Sequence, residues 1–244
     1  MSHPAPKRAL VTGGSGAIGS AICRQLALDG FHVLVHGNRS LDAASAVVAA
    51  IQASGGHAEA VAFDVTDAAA TSAALEALLQ QGPVQVVVNN AGIHDDAVFP
   101  GMQLRQWQQV IDVSLNGFFH VTQPLMMPMI RTRWGRIINI TSVAAVAGNR
   151  GQVNYAAAKG ALHSATKSLA LEVASRGITV NAVAPGIIAT PMSQDSFDAA
   201  TISQLVPMKR AGQPQEVADL VSFLASERAA YISGQVISIN GAMI

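Results

Sequence analysis

The sequence predicts an α/β fold: a single doubly wound sheet of seven parallel strands with helices on both faces. Three observations predict it. Short β-branched runs alternate with longer helical segments along nearly the whole chain, and alternation of that length requires a parallel sheet with crossover helices. Several runs, such as Val86-Val87-Val88, are apolar without a break, as suits strands covered on both faces. Half of the 244 residues are hydrophobic and only 12% are charged, the composition of a globular chain with ample core.

The candidate strands are Ala9–Thr12, His32–His36, Ala58–Phe63, Val84–Asn89, Arg136–Ile140, Thr179–Ala184 and Val236–Ile239. The helical segments between them are Ala17–Asp29, Leu41–Ala53, Ala68–Gln80, Leu104–Met127, Val153–Ser175 and Pro214–Ala225. Gly30 ends the first helix as a left-handed cap does. Residues 1–7 read as an N-terminal extension with two prolines, and residues 8–244 as one domain without a linker.

Lys+Arg and Asp+Glu balance at 15 each, which points to neither nucleic acid nor a membrane surface as partner. The low charge count favours self-association. Cys23 is the only cysteine, so no internal disulfide forms, and its apolar neighbours make it a buried residue. With no signal peptide at the start and no run of about 18 apolar residues, a cytoplasmic protein without membrane insertion is expected. No His/Cys/Asp cluster has zinc spacing; His32 and His36 lie four apart on a strand, so no metal is expected.

In doubly wound sheets ligands bind outside the carboxyl ends of the strands. After the first strand comes Gly13-Gly14-Ser15-Gly16-Ala17-Ile18-Gly19, then a helix. Glycines there permit a tight turn and close backbone approach to a pyrophosphate, and the helix start offers free N–H groups. This strand–turn–helix context makes the domain Rossmann-like. The second strand is followed by Gly37-Asn38-Arg39-Ser40, without the acid that would bind a ribose 2′-hydroxyl. Arg39 instead suits a 2′-phosphate, with Asn38 as a neutral donor, which favours NADPH/NADP.

Tyr155 and Lys159 are four apart on a helix and share a face. A phenol, with a pKa of about 10, is a poor acid–base group near neutrality; a neighbouring ammonium is expected to lower that value. Ser142 follows the fifth strand and reaches the same rim, where its hydroxyl can hydrogen-bond an oxygen gaining negative charge.

Thr12-Gly13 through Gly19, Asn89-Asn90-Ala91-Gly92, Ser142, Tyr155 through Lys159 and Pro185-Gly186 stand in this order along the chain. In that order and spacing the chain resembles the short-chain dehydrogenase/reductase family from Arg8 onward. Gly148–Lys159 and Ala174–Asn181 are most similar to the 3-oxoacyl-[acyl-carrier-protein] reductases. Phe99-Pro100, Met126–Ile130 and Pro207–Arg210 look like the aryl-polyene branch of those enzymes.

The resemblance implies that Tyr155 protonates a carbonyl oxygen while hydride arrives from NADPH, and that Lys159 also holds the nicotinamide ribose. Ser15, Gly16, Ala17 and Ile18 would line the phosphates. It further implies adenine contacts at Asp64 and Val65, a ribose flank at Asn90 with Ala91 and Gly92, and carboxamide contacts from Pro185, Gly186 and Ile188. Asn149 and Gln152 become substrate contacts. Arg133 and Arg176 become docking arginines for acyl carrier protein, and a homotetramer is expected, with the apolar C-terminus buried in it. Residues 190–208 would form a substrate lid.

Two departures stand out. The family's fourth catalytic residue, an asparagine, is Ser114 here, and Asn116 lies about 200° around the helix, so Ser114 is the expected fourth member. The glycine turn has Gly16 and Ala17 where the family usually has a basic residue and glycine, leaving the NADPH preference to Arg39. The leading expectation is reduction of a carrier-bound 3-oxoacyl thioester in fatty-acid or polyene-type biosynthesis. The alternatives are a dehydrogenase of a free small alcohol or ketone, and a cofactor-binding partner subunit without turnover.

Overall fold

A computed structural model describes residues 6–38, 41–190 and 198–244. Seven strands form one sheet: β1 (Arg8–Val11), β2 (His32–Gly37), β3 (His57–Ala62), β4 (Val84–Asn89), β5 (Gly135–Ile140), β6 (Ile178–Pro185) and β7 (Val236–Ile239). Their spatial order is β3-β2-β1-β4-β5-β6-β7, and every pairing is parallel. The order reverses between β1 and β4, so a crevice opens above their carboxyl ends, where such sheets bind ligands. The predicted doubly wound Rossmann-like class is the observed one.

Two cores sandwich the sheet. On one face, α1 (Ala17–Leu28), α2 (Asp42–Ala53) and the late helix Pro214–Ala225 pack Ile22, Leu26, Val47, Val217 and Val221 against β1, β2 and β4. On the other, α3 (Ala68–Leu79), α5 (Gly117–Thr132) and α7 (Val153–Val173) pack Leu75, Val121, Leu125, Met129 and Val173 against alternate residues of the same strands. The central strands β4 to β6 are almost wholly buried, whereas β7 is only partly covered.

The helix predicted over Leu104–Met127 is broken in an informative way. It comprises α4 (Leu104–Ile111), a π-helical turn (Asp112–Asn116) and α5. The Gly117 N–H bonds back to Asp112 O. Such bulges rotate side chains out of the regular helical frame and often mark functional sites. The helix also continues past Pro128 to Thr132, against the expectation that it ends at Met127. Two prolines remove two N–H donors, but burial of Val121, Leu125 and Met129 outweighs that loss. The remaining helices are the single turn α6 (Ala144–Ala147), α8 (Ala199–Leu205) and α9 (Pro214–Ala225). Among the described residues no helix is long and apolar enough to cross a membrane.

Candidate active site

The glycine turn between β1 and α1 is a cradle that side chains would fill. Gly13 has φ +62°, and a Cβ on Gly19 would overlap the Gly13 carbonyl oxygen. No side chain caps α1 and no acid lies in its first turn, so its leading N–H groups and dipole face outward toward an anion. Gly16 is not required by space: the nearest atom to a Cβ there would be Gly13 O at 3.5 Å.

Two polar side chains brace the turn. His36 at the end of β2 accepts the Gly13 N–H at Nδ1 (3.0 Å), which leaves Nε2–H to donate to Phe63 O (2.8 Å). That fixes a neutral tautomer, and burial holds its pKa below the ordinary histidine value. The sequence reading missed this role; the signal was a polar side chain closing an otherwise apolar strand. Asn90 donates Nδ2–H to Thr12 O (2.9 Å) and Gly13 O (3.1 Å). Its amide donors therefore hold the turn. The Ala91 N–H is held by Thr12 Oγ1 at 3.0 Å.

Beyond the cradle, Asn38, Asp64, Thr66 and Ile93 line a groove with Gln108 and Val113. Asp64 Oδ1 accepts from the Thr66 N–H (3.0 Å) and hydroxyl (2.7 Å), while Val65 is buried and its carbonyl pairs with His120. Arg39 lies outside the described residues.

The reacting centre assembles at the same rim. Lys159 is buried, and among the described residues its one hydrogen bond runs to Ile140 O at 2.8 Å. Burial pushes its pKa down to about 8. Tyr155, one turn earlier, stands with its ring centroid 5.8 Å from Lys159 Nζ. Contrary to expectation the phenol is raised above its ordinary value: burial dominates, a hydrogen bond with Ser142 opposes it, and the Asp96 charge adds to it. Ser142 Oγ also accepts the Ala144 N–H at 3.1 Å. A Cβ on Gly92 would lie 3.0 Å from Lys159 Nζ and 3.6 Å from Ser114 Oγ, so the β4 loop approaches this pair closely. Ser114 is buried in the π turn and its hydroxyl has no partner, whereas Asn116 is exposed and bonds Asp112.

Pro185 O accepts the Val143 N–H, Gly186 packs against Asn240 where a Cβ would clash, and Ile188 is buried beside Gly212. Asn149 and Gln152 stand at the mouth, joined by a 2.9 Å hydrogen bond. Arg133 and Arg176 do not join this rim. They precede β5 and β6 at the opposite end of the sheet, where Arg133 Nη2 donates to Ser175 O (3.2 Å). A strand of six residues, roughly 20 Å, separates them from Ser142.

A phosphate cradle and a Ser–Tyr–Lys cluster on the carboxyl rim of one Rossmann-like sheet define a nicotinamide-dependent oxidoreductase. The short chain dehydrogenase family model matches residues 7–201, and the chain belongs to that family. It is 47% identical over 238 residues to a 3-oxoacyl-[acyl-carrier-protein] reductase of Synechocystis, covering 97% of this chain and 96% of that one. A reductase of the same name from Staphylococcus aureus is 44% identical, covering 97% and 98%. A crystal structure from Agrobacterium tumefaciens, provisionally named a gluconate dehydrogenase, superposes with TM-score 0.93 at 34% identity, covering 97% of this chain and 95% of that one.

Proposed function

We propose that the chain reduces a 3-oxoacyl thioester on acyl carrier protein to the 3-hydroxyacyl thioester with NADPH. The observation that carries this reading is the convergence of Ser142, Tyr155 and Lys159 beside an uncapped helix N-terminus and a glycine turn. The identity to carrier-protein reductases over nearly the whole chain supplies the substrate class. When bound, a nicotinamide supplies the hydride chemistry. The outward N–H groups of α1 bind its pyrophosphate. Tyr155 is placed to protonate the carbonyl oxygen; its burial raises the phenol, and the positive charges of Lys159 and of a bound oxidised nicotinamide would act against that rise and bring it closer to the working pH. The Ser142 hydroxyl donates to that oxygen as charge builds on it, and Lys159 holds positive charge beneath both. The preference for NADPH rests on Arg39 and on Asn38 standing where an acid would favour NADH.

Carrier docking by Arg133 and Arg176, which sit on the far rim, requires a carrier bound across two copies of the chain. The arginines of one copy then serve the reacting centre of the other. The partly covered β7, and exposed Leu171 and Ile244, support a homo-oligomer, with the tetramer as the form we propose. Residues 190–208, of which 191–197 lie outside the described residues, would be the lid; the buried Val206 closes α8 at its C-terminal end. The aryl-polyene assignment rests on Phe99-Pro100, Met126–Ile130 and Pro207–Arg210.

NADPH absorbance, followed with a short 3-oxoacyl thioester on carrier protein and on a small thiol carrier, tests the reading. Turnover preferring the carrier protein, cut about a hundred- to ten-thousand-fold in Tyr155→Phe, is expected. Tight NADPH binding with no turnover of either thioester would overturn it. The similarity to the Agrobacterium structure favours a second reading, oxidation of a free small alcohol; turnover with carrier-free alcohols alone would select it.

A further inference from the structure

Asp96 lies in the loop after β4, at the mouth of the reacting centre, and no motif singled it out. Both of its carboxylate oxygens are engaged. Oδ1 is 3.2 Å from His94 Nδ1, and Oδ2 accepts from Gln152 Nε2 at 2.8 Å. Gln152 Oε1 in turn accepts from Asn149 Nδ2 at 2.9 Å. Around this chain the two segments are laced together. The Ala97 N–H donates to Gly151 O (2.9 Å). The fully buried Asn154 donates to Asp95 O (3.0 Å) and Gln106 O (3.1 Å) while accepting the Tyr155 N–H (2.8 Å).

An amide can turn either end toward a neighbour, but an ionised carboxylate only accepts. Asp96 therefore dictates that Gln152 turns its NH₂ inward to the carboxylate and its oxygen to Asn149. That ordering commits the oxygen of Gln152 and leaves a spare N–H on Gln152 and another on Asn149. A 3-oxoacyl thioester presents only acceptor oxygens near its reacting carbon, so a rim of spare donors matches it.

We infer that Asp96 is a positioning residue of the active site, which fixes the polarity of the Gln152–Asn149 pair and so the donor groups offered to the substrate. This rests on the thioester reading above. The Asp96 charge also acts directly on Tyr155, raising it, so the loop is electrically as well as sterically part of the centre.

A double-mutant cycle tests it. Asp96→Ala, Gln152→Ala and the double variant are assayed with the carrier thioester and with ethyl acetoacetate, a free 3-oxo ester with the same acceptor-only oxygens. Asp96→Ala is expected to raise KM about five- to tenfold, the loss of one hydrogen-bonded contact, with kcat within about threefold. Gln152→Ala should match it, and the double variant should be no worse than Gln152→Ala. Asp96→Asn, which keeps an acceptor without enforcing polarity, should fall between. Dissociation constants for NADPH should not move. An unchanged KM in Asp96→Ala, additive effects in the cycle, or parallel loss of NADPH binding would each overturn the inference. Turnover of the free ester alone would overturn the thioester reading while leaving the cycle readable; turnover of neither would overturn both.

Discussion

The two ends of the sheet treat buried charge in opposite ways. At the amino end, Arg8 donates to Leu78 O (2.6 Å) and Gly82 O (2.8 Å) and pairs with Glu59 (3.1 Å). Arg136, 2% exposed, donates to the carbonyls of Gly135, Gly177 and Ser226, reaches Glu227, and stacks on Trp134. At the carboxyl end, Lys159 is just as deeply enclosed but has a single hydrogen bond to one carbonyl. Among the described residues, the buried side-chain atoms without a hydrogen bond fall mostly at this end: Asn89 Oδ1, Ser114 Oγ and Asn240 Nδ2. The fourth, His32 Nε2 at the amino end, still lies 3.4 Å from the Glu59 carboxylate. The amino end is finished as structure. The carboxyl end is left with unused hydrogen-bonding capacity and a costly charge, as expected where stability is given up for binding and chemistry.

That contrast predicts opposite outcomes for removing a cation at each end. Lys159→Met should lower turnover by at least about a hundredfold, the lower bound for losing an acid–base partner. It should nevertheless leave the protein as stable or more stable at neutral pH, by thermal melting. Arg136→Met should do the reverse. It strands several buried carbonyls and is expected to cost about 2–3 kcal/mol, read by denaturant titration, with kcat per folded molecule within about twofold of wild type. Equal effects of the two substitutions on stability would erase the distinction between the ends.

His36 sharpens the comparison through pH. Burial holds its folded pKa below the unfolded value of about 6.5. The folded state therefore binds fewer protons, and the stability it contributes is present above pH 6.5 and lost as pH falls toward the folded value. Protonation would also take Nδ1 away from Gly13. NADP⁺ affinity by calorimetry should therefore hold at pH 7.5 and weaken only as pH falls through the folded value, below 6.5, and His36→Phe should weaken it at pH 7.5 as well. The smallest effect belongs to Ser114→Ala. Its hydroxyl has no partner to lose, so melting should be unchanged or slightly raised and turnover reduced by less than about tenfold.

Much of this was legible in the sequence because it depends on local pattern. Period and punctuation placed all seven strands within a residue or two, and strand ends placed Ser142, Tyr155 and Lys159 on one rim. What escaped depends on partners distant in sequence or on helix phase. His36 gained its role from Gly13 and Phe63, and Asp96 from Gln152, 56 residues away. The π turn at Ser114 left no mark in hydrophobic spacing, because one extra residue in a turn shifts phase without changing composition. Asn90 holds the glycine turn through Thr12 and Gly13, 78 and 77 residues away, a role its place after β4 does not reveal. The placement of Arg133 and Arg176 was legible and overlooked: each precedes its strand, and in a parallel sheet that alone puts them opposite the site.

The carboxyl rim holds a lysine whose burial costs stability. Denaturant titrations of wild type and Lys159→Met at pH 7 and pH 9.5 test it most directly. With a folded value of about 8 against about 10.4 unfolded, the unfolded chain binds more protons across this interval, so stability rises with pH. Wild type should gain about 2 kcal/mol over the variant on that change. Parallel pH dependences in the two proteins would mean that the lysine is solvated as well in the fold as outside it, and would contradict the account.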